Sequence, residues 1–111
     1  MKISTHILDL STGRPAANVL VVLHRRDETW RALNRHRTDP NGRITNLFGI
    51  DTPPLSGRYR LRFHTGRYYR SMGVESLHPF VEVVFDMRDA KEHHHIPLLI
   101  TPHSYTTYRG S

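Results

Sequence analysis

Cysteine is absent from the 111-residue chain, and its absence removes two ways in which a small protein can be stabilised. Neither a disulfide framework nor a zinc site built on thiolates can form. A chain of this length still buries roughly two thirds of its surface on folding, which suffices for one core without covalent or metal support. We therefore expect a single domain that covers residues 1–111.

Long apolar runs are missing as well. No run approaches the ~20 residues that a transmembrane helix requires. The start of the chain, Met1-Lys2-Ile3-Ser4-Thr5-His6, lacks the apolar core of a secretory signal. From these absences we expect a cytoplasmic protein with no membrane partner.

Lysine is scarce, so the net charge of +6 is carried almost entirely by arginine. Arginine suits planar, bidentate recognition of anions, and a positive charge is compatible with either a nucleic acid or a small anionic ligand. The arginines are scattered, except for Arg58, Arg60 and Arg62 on one face of a predicted strand, and a solvated face is the favoured interpretation of those three. Aromatic residues are few and nucleic-acid-binding motifs are absent, so we expect no nucleic-acid partner.

Short β-branched or aromatic runs, separated by turn signals, make up most of the chain. The turn signals are Thr12-Gly13-Arg14-Pro15, Asp39-Pro40-Asn41-Gly42, Thr52-Pro53-Pro54 and Thr101-Pro102. Strands are predicted at 4–10, 17–26, 30–38, 43–47, 57–64, 80–87, 93–100 and 103–108, with a short helix at 66–72 that ends at Gly73. The pattern predicts an all-β sandwich or barrel of seven or eight antiparallel strands and one short helix.

Two of these strands place a histidine beside apolar residues on the face that is not core. Alternation gives those faces as Ser4, His6, Leu8 and Leu10 in the first strand, and His93, His95, Pro97 and Leu99 in the strand before the last. Because such faces differ from ordinary solvent surface, we predict that His6 and His95 line one pocket or subunit seam. The alternative is that each is a lone hydrogen-bonded histidine.

Other kinds of site find less support. His93 and His95 could chelate zinc, but no carboxylate stands at a suitable spacing, so we expect no metal. Gly-x-Ser-x-Gly and Gly-x-x-x-x-Gly-Lys are both absent, which argues against a serine triad of that type and against a phosphate-binding loop.

Six fragments spread along the chain carry a family resemblance. They are Ser4-Thr5-His6-Ile7-Leu8-Asp9, Gly13-Arg14-Pro15-Ala16, Thr38-Asp39-Pro40-Asn41-Gly42-Arg43, Glu82-Val83-Val84-Phe85, His93-His94-His95-Ile96-Pro97-Leu98-Leu99 and Tyr108-Arg109-Gly110-Ser111. Together they resemble the 5-hydroxyisourate hydrolases, the transthyretin-related proteins, and the last fragment matches the family's C-terminal signature without a change. Departures from the family pattern, at Leu77-His78, His94 and His103, fall on no proposed catalytic position.

The resemblance implies a transthyretin-like (prealbumin-like) Greek-key β-sandwich of two four-stranded sheets, assembled as a homotetramer, a dimer of dimers. It implies hydrolysis of 5-hydroxyisourate to 2-oxo-4-hydroxy-4-carboxy-5-ureidoimidazoline in urate degradation, without a cofactor, in a channel between dimers. The family's positions match His6, Arg43 and His95 as catalytic residues; Tyr108 and Ser111, with His6 and Arg43, would bind the substrate.

Two questions stay open at this point. Arg109 could anchor the tail through an ion pair or could contact the substrate. The main alternative function is a non-catalytic carrier of the transthyretin kind, whose channel holds a hydrophobic hormone. Tyr108 and the two histidines argue against a carrier, because they would fill and polarise its channel.

Overall fold

Two β-sheets and one helix form the structure, a computed structural model that describes residues 2–49 and 53–111. The strands are β1 (Ile3–Asp9), β2 (Arg14–Pro15), β3 (Leu20–Arg26), β4 (Trp30–Arg37), β5 (Arg43–Ile44), β6 (Gly57–Phe63), β7 (Val81–Met87), β8 (His94–Thr101) and β9 (Ser104–Thr107), and the helix is α1 (Thr65–Ser71). The predicted turn at Thr52-Pro53-Pro54 begins outside the described residues. Within the described ranges, no helix has the length and apolar character needed to cross a membrane.

The first sheet runs β2-β1-β8-β9, with β5 paired to β1 on the same edge as β2, and the second runs β4-β3-β6-β7. The predicted all-β sandwich with one short helix is thus confirmed. Three expectations were wrong. The described residues form nine strands instead of seven or eight, β1 and β8 are parallel, and the first sheet has five strands instead of four. The strand predicted at 43–47 shortens to β5 because the side chain of Asn46 accepts the Phe48 amide and turns the chain.

The core lies between the sheets and follows the alternation of the sequence. Tyr59, Leu61 and Phe63 of β6 are fully buried, as are Ile3 and Ile7 of β1. Ile96, Leu98 and Ile100 of β8 are buried as well. The opposite faces carry arginines in β6, and both polar and apolar residues in β1 and β8. The core faces predicted for β6 and β8 are therefore confirmed, and the other face of β1 and β8 is left for a site.

Helix α1 is fixed to the far end of β1 by a buried carboxylate. Asp9 is 1% exposed and accepts hydrogen bonds from the hydroxyls of Tyr68 at 2.9 Å, Tyr69 at 3.0 Å and Ser11 at 2.6 Å. Burial raises the pKa of Asp9, but these hydrogen bonds outweigh it and leave the pKa below its ordinary value. The helix ends at Ser71, one residue before the predicted end at 72, and Gly73, the predicted stop, follows with a φ of +70° that suits glycine.

Candidate active site

Strand pairing brings the polar residues of β1, β5 and β8 onto one face of the first sheet. Ser4 lies opposite His95 and His6 opposite Pro97 in the parallel pair of β1 and β8. On the other side of β1, His6 lies opposite Arg43 of β5. Paired residues project to the same side of a sheet. Three strands therefore place Ser4, His6, Arg43 and His95 on the face turned away from the core.

A recess of about 240 Å³ opens on this face. Its polar lining is formed by Lys2, Ser4, Thr5, Arg43, Thr45, His93, His95 and Ser111. Ligand pockets of roughly 300–1,000 Å³ hold drug-sized molecules, so this smaller recess suits a compact ring. Three of the residues predicted from the sequence, Arg43, His95 and Ser111, come together here, and His6 is the neighbour of Arg43 in the pairing.

Arg43 is positioned by the turn that precedes it. The carboxylate of Asp39 accepts the amides of Asn41 and Arg43, both at 2.9 Å. The carbonyl of Gly42 accepts the amide of Ile7 at 2.8 Å, and Gly42 has a φ of +75°. A Cβ at position 42 would overlap the carbonyl oxygen of Ile7. Only glycine lets this turn lie against β1, and that close approach sets Arg43 beside His6.

The tail is held against His95. The amide of Gly110 donates to the carbonyl of His95 at 2.8 Å. A Cβ at position 110 would overlap Cδ2 of the His95 ring and lie 3.1 Å from its Cγ. Glycine at position 110 thus allows the backbone to lie close to His95, and Ser111 lines the recess.

His95 lies in surroundings that favour its neutral form. Burial lowers the pKa of His95, and the positive charges of His93, His6 and Arg43 lower it further. Since the ordinary pKa of histidine is about 6.5, the ring is neutral at pH 7. It can therefore accept a proton beside a fixed cation.

Ser4 and His93 belong to this site, although neither was predicted to be a catalytic or substrate-binding residue. The hydroxyl of Ser4 lies 2.7 Å from Nε2 of His93 and 2.8 Å from Nδ1 of His95. Alternation had placed all three on the correct faces. Their contact was missed because it depends on the parallel pairing of strands whose residues are 89 and 91 positions apart.

Tyr108 and Arg109 lie elsewhere, in a second recess that they line together with Phe85 and His94. Arg109 donates to Glu92 at 3.1 Å, the ion pair that was one of its two expected roles. Tyr108 is 56% exposed and is not part of the recess around His95. Its predicted contact with substrate stays a prediction.

The described histidines and carboxylates are not arranged as a metal centre. Among residues 2–49 and 53–111, no three or more His, Asp or Glu side chains are grouped so that they could hold a metal ion. His93 and His95 instead share their hydrogen bonds with Ser4.

Comparison with known proteins gives the family. The HIUase/Transthyretin family model matches residues 3–110. The chain belongs to the HIUase/Transthyretin family. A probable 5-hydroxyisourate hydrolase of Caenorhabditis elegans is 42% identical over 110 residues, which cover 98% of this chain and 81% of that relative.

Solved structures of the same family superpose closely on this chain. The 5-hydroxyisourate hydrolase of Klebsiella pneumoniae aligns over 100% of both chains with a TM-score of 0.88 and 39% identity. Sea bream transthyretin in complex with thyroxine aligns over 99% of this chain and 95% of its own, with a TM-score of 0.90 and 32% identity. The transthyretin-like fold and the prediction of an enzyme are thereby confirmed.

Proposed function

We propose that this protein hydrolyses 5-hydroxyisourate to 2-oxo-4-hydroxy-4-carboxy-5-ureidoimidazoline, a step of urate degradation. The observation that carries the proposal is the meeting of His95, Arg43 and Ser111 in one recess beside His6. It is supported by relatives that are named for this activity.

The reaction is the hydrolysis of a ring amide. A water oxygen attacks the ring carbonyl, the bond from that carbon to the ring nitrogen breaks, and the nitrogen takes up a proton as a carboxylate forms. Water is a poor nucleophile, so a base must remove its proton. His95 suits this role, because burial and neighbouring positive charges lower its pKa and keep it neutral at pH 7. General-base catalysis of this kind contributes typically about 10²–10⁴-fold.

The remaining groups would stabilise charge and hold the substrate. Arg43 is a permanent planar cation that can bind the substrate oxygens and the oxyanion that develops on the attacked carbonyl. With His95 assigned as the base, His6 takes the second role of the pair, to position the substrate or to deliver a proton to the departing nitrogen. The hydroxyl of Ser111 would bind the substrate, and no cofactor is needed for these steps.

The proposed assembly is a homotetramer, a dimer of dimers, with the sites in a channel between dimers. Strands β7 and β9 each end the strand order of their sheet, and edge strands offer hydrogen-bonding groups to a second copy. Apolar side chains support this: Val84 of β7 is 52% exposed, Tyr105 of β9 is 44% exposed, and Leu10 is 58% exposed. Tyr108 directly follows β9, so its contact with substrate would depend on assembly.

A carrier for a hydrophobic hormone is the alternative, and the fold by itself favours neither function. The TM-scores to the Klebsiella hydrolase and to the thyroxine complex of sea bream transthyretin, 0.88 and 0.90, are nearly the same. The recess favours the hydrolase, because a neutral imidazole beside a guanidinium serves proton transfer and oxyanion binding. Tight thyroxine binding without turnover would favour the carrier.

Variants of two residues test the proposal. Urate oxidase generates 5-hydroxyisourate, and absorbance follows its decay with and without the protein. His95→Ala and Arg43→Ala should each lower kcat/KM by about 10²–10⁴-fold and leave the mass of the assembly, measured by light scattering, unchanged. Matched controls are His103→Ala and Arg35→Ala, which replace exposed residues outside the recess. Wild-type turnover by His95→Ala and by Arg43→Ala would overturn the assignment.

A further inference from the structure

Ser4 and His93 take no part in the mechanism above, yet they are hydrogen-bonded to its base. A single hydroxyl, that of Ser4, bridges Nε2 of His93 and Nδ1 of His95 at 2.7 and 2.8 Å. Ser4 is only 6% exposed, so bulk water has little access with which to replace either partner. The proton of this hydroxyl can be donated to only one of the two rings at a time.

When the rings are neutral, two arrangements satisfy both hydrogen bonds and also give the Ser4 proton an acceptor, because a neutral imidazole has one N–H and one lone pair. If both rings instead donated to the two lone pairs of Ser4, the hydroxyl proton would have no acceptor among the described side chains. In the first, Ser4 donates to Nε2 of His93 and accepts from the Nδ1–H of His95. The lone pair of His95 is then on Nε2, free to take a proton from water. In the second, Nε2–H of His93 donates to Ser4, which donates to Nδ1 of His95. Nε2 of His95 then carries hydrogen and cannot act as a base.

We propose that Ser4 and His93 form a relay that sets the tautomer of His95 and switches its basicity with the charge of His93. A neutral His93 can accept the proton of Ser4, and it then holds His95 in the tautomer that can act as a base. A protonated His93 has hydrogen on both ring nitrogens, so it can only donate to Ser4. The Ser4 proton then needs another acceptor, and the one within hydrogen-bond distance is Nδ1 of His95, so the relay reverses. Ser4 and His93 are positioning residues in this scheme, which rests on the proposed role of His95 as base.

The relay is also compatible with the turnover it serves. When His95 takes a proton on Nε2, its Nδ1–H continues to donate to Ser4, and Ser4 continues to donate to His93. The first arrangement therefore stabilises the imidazolium without moving any other proton. The second arrangement offers no such path, because Nε2 is already occupied.

The charges around the relay keep His93 neutral near neutral pH, which is the condition that the first arrangement requires. Burial lowers the pKa of His93, and the charges of Lys2 and His94 lower it further. His6 and Arg43 face the other ring and act on His95 in the same direction. His93 as a whole remains exposed, so its protonation responds to bulk pH. Reversal is thus expected only below the ordinary histidine pKa of about 6.5.

The tautomer of His95 can be observed directly by NMR of the full protein with ¹⁵N-labelled histidine. In the wild type at neutral pH, we expect Nδ1 of His95 to be protonated and Nε2 to be free. Acidification that protonates His93 should move the hydrogen to Nε2. In Ser4→Ala the tautomer of His95 should no longer follow the titration of His93, and kcat/KM should fall about tenfold or more. Ser4→Thr, which keeps the hydroxyl, should restore both readouts.

A variant of His93 separates its charge from its hydrogen bond. The amide oxygen of His93→Gln can accept the Ser4 proton but does not titrate. As pH falls, the kcat/KM of the wild type should decrease with the protonation of two histidines, His93 and His95. The kcat/KM of His93→Gln should decrease with the protonation of His95 alone, so the variant loses activity less steeply. His103→Gln, an exposed histidine outside the recess, is the control and should keep the wild-type profile.

The outcomes distinguish the relay from the function on which it rests. Suppose that His95→Ala and Arg43→Ala lose turnover, but Ser4→Ala and His93→Gln keep the wild-type rate, pH profile and His95 tautomer. The relay is then refuted, and the hydrolase proposal stands. Full turnover by His95→Ala would instead refute the proposed base. If Ser4→Ala does not fold, the unchanged steepness of the His93→Gln profile is enough to overturn the relay.

Discussion

Replacing Gly110 with alanine should displace the proposed base while leaving its chemistry intact. The new Cβ would overlap Cδ2 of His95 and lie 3.1 Å from Cγ and 3.3 Å from Cβ of the same side chain. The tail cannot retreat freely, because the amide of Gly110 donates to the carbonyl of His95 at 2.8 Å. Either the imidazole shifts or the tail leaves the recess and takes Ser111 with it.

The size of the effect follows from these distances. Carbon atoms normally approach to about 3.5–4.0 Å, so relief of the overlap requires a movement of about 1 Å. A misplacement of that size in a catalytic group costs about 10²-fold, and complete loss of a general base costs up to about 10⁴-fold. We expect kcat/KM of Gly110→Ala to fall about 10²-fold. The free energy of unfolding should fall by only about 0.5–1.5 kcal/mol, the value of one hydrogen bond.

The decay of 5-hydroxyisourate measures kcat/KM, and urea unfolding measures stability. Gly13→Ala is the matched control, because Gly13 has a φ of +70° and no atom within 4 Å of its added Cβ. That variant should lose about 1–2 kcal/mol of stability, the cost of a left-handed conformation, and keep its kcat/KM. Wild-type turnover by Gly110→Ala would refute the reasoning that the tail fixes the position of His95.

Asp9 and His95 provide two more predictions. Asp9→Asn weakens the hydrogen bonds from Ser11, Tyr68 and Tyr69, so the free energy of unfolding should drop by about 2–3 kcal/mol. The kcat/KM per folded molecule should not change. A urea unfolding midpoint equal to that of the wild type would contradict this prediction. Because the pKa of His95 is lowered, kcat/KM should be constant above neutral pH and should fall only as pH decreases through that lowered pKa. A pH profile that already declines above the ordinary histidine pKa of about 6.5 would contradict the assignment of His95 as base.

Local periodicity was enough to predict the elements of the fold. The alternation of Tyr59, Leu61 and Phe63 gave the core face of β6, and Gly73 gave the end of the helix, because side-chain spacing and backbone conformation are local properties. The parallel pairing of β1 with β8 was not predicted. Strand direction depends on long-range connections that no local pattern records. The two residues of β2 were expected to be part of a turn and gained strand pairing only from the neighbouring β1.

The residues of the candidate site also differ in whether a local pattern could predict them. His6 and His95 could be named because alternation and the family fragments each marked them, whereas Arg43 was marked by the family fragments alone. Ser4 was assigned to the correct face but not to a function, since its two hydrogen bonds exist only when β1 and the segment before β8 come together. Tyr108 and Ser111, in contrast, were grouped by the family's C-terminal signature. In the structure they line different recesses on either side of the bridge at Gly110.

The most direct measurement is the decay of freshly generated 5-hydroxyisourate in the presence of the purified protein, with the product identified by NMR. We expect saturable acceleration of ring opening to 2-oxo-4-hydroxy-4-carboxy-5-ureidoimidazoline, and we expect it to disappear in Arg43→Ala. The same decay rate with and without the wild-type protein would contradict the claim that this recess catalyses the reaction.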